Sequence, residues 1–339
     1  MGVAVVNQLP EEAWRQFVAK HPLSNIYHTP EMFQVFARVP GHQPTVWAAV
    51  GDGDRVLALL LPVNITLMNG LLRKYTSRAV CYGGVLCAPG TDGQAALAQL
   101  LNVYKQEAKR SALFTELRNL SDLADVQPVL NECGFRFEGH LNYLIDLVQS
   151  EGSLLHNISK SGRQSIRTSC NKGTMIEEMT DRRTVAVAYQ LLRKVYARAR
   201  VPLAAPTLFE AALDVLAPQG MFKVFLARAG DHYIGACLIL AYKDRIIDWY
   251  AGSDRAFSAY CPMELLIWRV LKWGQAHGFR VFDFGGAGRP GEHYGPGKFK
   301  AKFGGGLVNF GRNTAIHALL RLQLSQVGYG LYRRFLSHE

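Results

Sequence analysis

A strand that runs into a cluster of glycines and then into a basic, aromatic turn leaves a chain few ways to fold around it. Residues 280–306 read RVFDFGGAGRPGEHYGPGKFKAKFGGG. Val281, Phe282 and Phe284 are the β-branched and aromatic residues that suit a buried strand. Gly285, Gly286 and Gly288 end it, where positive φ and close approach to the backbone become accessible. A loop with Arg289, Glu292, His293 and Tyr294 follows, and then Lys298, Phe299, Lys300, Lys302 and Phe303. Open α/β folds receive ligands at the carboxyl ends of their strands. Cations and aromatics close to such a loop suit an anionic or acyl-bearing substrate. The competing reading is a surface loop whose glycines only make turns, and spacing alone does not separate the two.

The chain has 339 residues, enough for two domains or one large one. At 49% hydrophobic and 19% charged, it can bury a sizeable core. A net charge of +11 points to an anionic partner: nucleic acid, a phosphate-bearing substrate or an anionic membrane surface. The six cysteines form no CxxC pair and do not cluster with histidines, so zinc is not expected. Reduced thiols in a cytoplasmic protein are the expectation. No apolar run is long enough to span a bilayer, and the N-terminus lacks the pattern of a secretory leader.

From the start, residues 10–21 read as a helix with Trp14, Phe17 and Val18 on one face. In SNIYHTPEMFQVF, Thr29 caps a second helix with Pro30 at its first position. Tyr27 and His28 precede it, facing a cleft or packing and capping a turn. Strands at 45–50, 55–66 and 80–87 precede a helix over 92–110 that buries Leu97, Leu100, Leu101 and Tyr104. A strand at 113–117, a helix at 122–133 and a strand over 135–147 close one α/β domain. Further on come a helix over 182–198, an antiparallel meander over 222–251, and a helix over 263–277 leading into the glycine-ended strand. Residues 316–335 read as a basic amphipathic helix, docked on the fold or lying on a membrane surface.

A second informative stretch is 152–173. Read as a helix from Ser159, it puts Lys160, Arg163 and Arg167 on one face. Three cations in a row repel one another, and no acidic residue interleaves between 152 and 176. That favours an anion-binding role over a solvated basic face.

These residues together resemble the FemABX-type peptidyltransferases and the related acyltransferases of the GNAT superfamily. The resemblance rests on Ile26 to Glu31, on Asn157 to Arg167 with Gly173, and above all on Phe282-Asp283-Phe284-Gly285-Gly286 with Tyr294-Gly295 and Phe299-Lys300 to Phe303-Gly304. It implies an α/β fold of two GNAT-like lobes, each a mixed sheet flanked by helices, with a cleft between them. The expected boundaries are 1–147 for the first lobe, 148–312 for the second, and 313–339 for the basic C-terminal helix. It also implies transfer of an aminoacyl group from aminoacyl-tRNA to an amine of a cell-envelope precursor. Lys300 would stabilise the oxyanion of the tetrahedral intermediate, with Phe299 beside the donor. Asp283, Tyr294, Gly285 and Gly286 would line the cleft. Lys160, Arg163 and Arg167 would hold phosphates of tRNA or precursor, with Tyr27 and His28 as further substrate contacts. Removal of the amine proton falls to the substrate, to Asp283 or to His293. No metal and no resident cofactor are implied.

The sequence departs from the resemblance in two places. GNAT enzymes cradle the coenzyme A pyrophosphate on a glycine-containing turn that opens a helix; here residues 253–262 contain no glycine. The Trp and Lys that Fem enzymes carry near 32–36 are replaced by Met32 and Phe36, with Arg38 close by. The first departure argues against an acyl-CoA or acyl-carrier donor, which stands as the alternative enzyme reading, and the second against the usual muropeptide acceptor; a basic binding module for nucleic acid or anionic lipid is the non-catalytic reading. A cytoplasmic protein is expected, with peripheral contact at the inner membrane face a further option.

Overall fold

The structure, a computed structural model, describes residues 2–66, 68, 70 and 73–325. The chain divides into two compact units, 1–139 with 310–339 and 140–309. This corrects the expected boundaries, and two strands explain why. Leu141–Asp146 leaves the N-terminal half and pairs with Val281–Gly286 on one side and Gly306–Asn309 on the other. Arg312–Ile316 makes the reverse move, lying between Phe114–Asn119 and Arg136–Glu138. The segment read as one strand over 135–147 is thus two strands in two sheets. The tail expected as helix from 313 begins with a strand instead. A helix starts at 319, and the part of that expectation beyond 325 lies outside the described residues.

The first unit holds a six-stranded sheet and a four-stranded one. The six-stranded order is His42–Pro44, Val63–Thr66, Ser77–Gly83, Phe114–Asn119, Arg312–Ile316, Arg136–Glu138. Helix Thr91–Ser111 buries Leu97, Leu100, Leu101 and Tyr104, as its 3.6-residue periodicity dictates. Thr29 caps Pro30–Ala37 by accepting from Met32 N–H at 3.2 Å, and Met32, Val35 and Phe36 are buried beneath it.

The second unit is built on a seven-stranded sheet in the order Met175–Glu178, Phe222–Ala229, His232–Tyr242, Arg245–Ser253, Val281–Gly286, Leu141–Asp146, Gly306–Asn309. The meander is antiparallel, as its turns require. Arg245–Ser253 and Val281–Gly286 run parallel, because the helix Pro262–Ala276 carries the chain back between them. Phe225, Ile239, Ile246, Phe282 and Phe284 form one core with Leu266, Val270 and Leu271 of that helix and with Ile158 and Ile166.

All six cysteines are free thiols, and Cys81, Cys133 and Cys237 are buried. Among the described residues no helix is long and apolar enough to cross a membrane, and no group of residues is arranged to hold a metal.

Candidate active site

The parallel pair in the second unit forks. Its register runs Arg245↔Val281, Ile246↔Phe282, Ile247↔Asp283 and stops there. Beyond it, Arg245–Ser253 stays with His232–Tyr242, with a bulge at Trp249, while Val281–Gly286 stays with Leu141–Asp146. Asp248 and Phe284 are the first residues past the fork. Gly285 takes φ +67°, and its N–H donates to Asp283 Oδ1 at 2.8 Å.

Lys300 reaches this point from the short helix Gly295–Ala301. Its ammonium donates to the carbonyl oxygens of Phe284 at 2.6 Å and Gly286 at 2.8 Å. It also lies 5.9 Å from the centre of the Phe284 ring. Burial lowers its pKa, opposed by the charges of Asp248 and Asp283. A lysine has three donors, so one N–H remains for a ligand at the fork.

Two carboxylates lie close by, in different circumstances. Asp283 is wholly buried. It accepts from Asn142 Nδ2 at 2.5 Å and from Gly285 N–H, and pairs with Arg245 at 3.0 Å. Its oxygens are engaged, so it does not line a surface. The expected roles in the cleft and in proton transfer do not fit its place, because it anchors the strand end from within. Asp248 is only part-buried. Its one hydrogen bond among the described residues comes from the Cys237 thiol at 3.6 Å, a weak donor. Burial pushes the Asp248 carboxyl up to about 6, with Lys300 and Cys237 opposing and Asp283 reinforcing. Tyr196, from helix Arg182–Ala199, is pushed up to about 12 by burial first and then by the charges of Asp248 and Tyr294. Asp248 was not among the residues singled out from sequence. The sequence around it offers only a weak signal, an acid between Ile247 and Trp249.

The other expected site residues are distributed as follows. Tyr294 is 39% exposed, and its ring occupies the space that a side chain on Gly288 would fill. Phe299 meets Phe303 edge to face at 5.3 Å and takes Lys302 over its face at 5.6 Å, so it belongs to the packing that holds the Lys300 helix. Gly286 leaves room for His140, whose ring a Cβ there would strike at 2.6 Å. His293 is exposed.

The basic helix forms as expected over Lys160–Asn171, capped by Ser159, and Lys160 and Arg167 are exposed. Arg163 is not part of their surface. Its guanidinium donates to the carbonyls of His156, at 2.7 Å, and Ile158, ending the helix Glu151–Asn157. Tyr27 and His28 belong to the first unit. Tyr27 stacks on Tyr82 at 5.4 Å. His28 is fully buried, and its Nδ1 accepts from Asn25 N–H at 3.1 Å. The capping alternative holds for His28, and burial removes it from substrate contact. Arg38 lines a cavity of about 370 Å³ with His42, Gln43 and Arg73.

The start of helix Pro262–Ala276 tests the fit of a coenzyme A pyrophosphate. Its N-cap, Cys261, takes φ +49°, and Pro262 at the first position has no N–H to offer. Glu264 in the first turn is buried and paired with Lys302 at 3.0 Å. A proline and a buried carboxylate stand where a pyrophosphate needs N–H donors and positive potential. These residues do not fit coenzyme A.

Residues 160–296 match the family model of the acetyltransferase (GNAT) domain. The fold is similar to the crystal structure of FemX, with TM-score 0.73 at 16% identity over 96% of this chain and 99% of that one. The C-terminal domain of a putative lysylphosphatidylglycerol synthetase from Agrobacterium fabrum matches with TM-score 0.58 at 14% identity, covering 93% and 94% of the two chains. A tandem GNAT protein from the clavulanic acid biosynthesis pathway matches with TM-score 0.59 at 12% identity, covering 93% and 99%. No curated protein matches the chain in sequence. The expected α/β fold of GNAT-like lobes holds, and the GNAT resemblance holds over the residues that the family model matches.

Proposed function

We propose that this GNAT-fold protein is an aminoacyltransferase that moves an aminoacyl group from aminoacyl-tRNA to a primary amine of a cell-envelope precursor. The observation that carries the reading is the Lys300 ammonium, fixed at the strand fork by two backbone carbonyls with one N–H to spare. A cation already in position when an ester carbonyl becomes a tetrahedral oxyanion lowers the barrier without reorganisation.

The choice of donor rests on the start of helix Pro262–Ala276, where Pro262 and Glu264 disfavour a pyrophosphate. An ester of tRNA needs no such cradle. The exposed cations Lys160 and Arg167 and the net charge of +11 suit its phosphates. The full-length likeness to FemX agrees with this reading.

Titration calorimetry at fixed moderate salt tests it, with charged tRNA, uncharged tRNA and acetyl-CoA as ligands and Lys300→Ala beside the wild type. Charged tRNA binding more tightly than uncharged, with the difference lost in Lys300→Ala, supports the proposal. Tight acetyl-CoA binding, with tRNA binding blind to charging, replaces it with a thioester-dependent N-acyltransferase.

A further inference from the structure

Asp248 has no structural task that accounts for it. Asp283, a few ångströms along the neighbouring strand, is satisfied by Asn142, Gly285 and Arg245. Asp248 has a thiol. A part-buried carboxylate left with so weak a donor is expensive to keep in place. It sits at the mouth of the fork, where a Cβ on Gly285 would lie 3.7 Å from its carbonyl oxygen.

Its surroundings define what it can take. Lys300 faces it from helix Gly295–Ala301, Asp283 from Val281–Gly286, and Cys237 from His232–Tyr242. Tyr196, from Arg182–Ala199, feels the charges of Asp248 and Tyr294. Arg245 is committed to Asp283. A carboxylate whose side-chain partner is only a thiol is a subsite for an ammonium group. Lys300 already has its place on two carbonyls, so the cation that suits Asp248 comes with the substrate.

We propose that Asp248 is the docking point and proton acceptor for the primary amine of the acceptor substrate. The inference rests on the aminoacyl-transfer reading for its chemistry, though not for its test. The arriving ammonium gives one proton to the Asp248 carboxylate and becomes the nucleophile. Its lone pair forms the new C–N bond with the acyl carbon, whose oxygen faces Lys300. The ester C–O bond breaks, its electron pair going to the ribose oxygen. That oxygen takes the second proton from the newly bonded nitrogen, and Asp248 returns its own to solvent. Nothing is oxidised or reduced. Lys300 assists the first step as well, because a neighbouring positive charge lowers the pKa of the arriving ammonium. A carboxyl that titrates near 6 is better matched to that proton than an ordinary aspartate.

The test is a carboxyl titration by NMR on protein carrying ¹³C-labelled aspartate. The Asp248 resonance is identified by its absence from Asp248→Asn, with Asp248→Ala giving the same assignment independently. The probes are Nα-acetyl-L-lysinamide, which carries a primary amine, and Nα-acetyl-L-norleucinamide, which is close in shape and lacks it. The expected result is a carboxyl titrating near 6 whose midpoint falls by about one unit with saturating lysinamide, as an ammonium within about 4–6 Å should cause, and stays put with norleucinamide. A midpoint unmoved by lysinamide, or moved equally by both probes, overturns the proposal. Indifference to tRNA charging would defeat the aminoacyl-tRNA reading while leaving this titration intact, so the two fail separately.

Discussion

Arg245 and Asp283 pair at 3.0 Å across the last turn of register that their parallel strands share, and the carboxylate is completely buried. The pair holds the strands together at the point from which they diverge. Removing Arg245 leaves a wholly buried carboxylate with only the neutral donors of Asn142 and Gly285, and removing Asp283 takes away the acceptor that all three donors share, on the scale of about 3–5 kcal/mol for a broken buried pair. Asp283→Ala and Arg245→Ala are each expected to lower the stability of the second unit on that scale in denaturant titration. The double variant should cost less than the sum of the two singles. Additive losses would show that the pair is not coupled.

The charge on Asp248 works against the fold. Its folded-state pKa, about 6, lies above the ordinary aspartate value, so the folded protein holds a proton that the unfolded chain has already lost. The stability this proton represents is fully present below about pH 4 and disappears as pH rises through 6. Asp248→Asn abolishes the window. It is expected to raise stability at pH 7.5 by up to about 3 kcal/mol, two pKa units' worth, and to change little at pH 4. A variant less stable than the wild type at pH 7.5 would contradict this assignment.

His317 should act in the opposite sense. Its Nε2 lies 2.7 Å from Thr115 Oγ1, and Thr115 in turn meets the Tyr104 hydroxyl at 2.8 Å. Burial, helped by Lys105 and Lys109, lowers the imidazole pKa to about 4. A histidine with a depressed pKa contributes stability that is complete above the unfolded value near 6.5 and is lost as pH falls towards 4. His317→Gln, which cannot gain a proton, should flatten that acid limb, worth up to about 3 kcal/mol. Thermal melts of both proteins between pH 4 and 7 measure it.

The parts of this site legible in sequence are those that local chemistry dictates. Glycines after an apolar strand marked the end of Val281–Gly286, and a lysine in a basic aromatic turn marked Lys300. What escaped depends on distant pairing. Asp248 sits in RIIDWYAG, where an acid reads as a solvent-facing strand residue; only the divergence of two strands more than thirty residues apart puts it at a fork. The strand Arg312–Ile316 is hidden for a similar reason. RNTAI is too short to carry a pattern, and its place is fixed by Asn313, buried and bonded to Asn119 at 2.8 Å and Gln127 at 3.0 Å. Arg163 shows the converse: helical spacing put it correctly on a face with Lys160 and Arg167, while its long side chain turned back to the nearest unsatisfied carbonyls.

That difference among the three cations separates two kinds of effect. Lys160 and Arg167 present their charges to solvent, and a phosphate chain bound there releases counterions. Lys160→Ala and Arg167→Ala are each expected to weaken tRNA binding and to reduce the slope of log K against log salt by about 1, with little change in melting temperature. Arg163 spends its donors on His156 and Ile158. Arg163→Ala leaves those helix-end carbonyls short of a partner and should destabilise the protein by about 1–3 kcal/mol without altering the salt slope. A salt slope that changes in Arg163→Ala as much as in Lys160→Ala would mean that the guanidinium leaves its carbonyls when nucleic acid arrives.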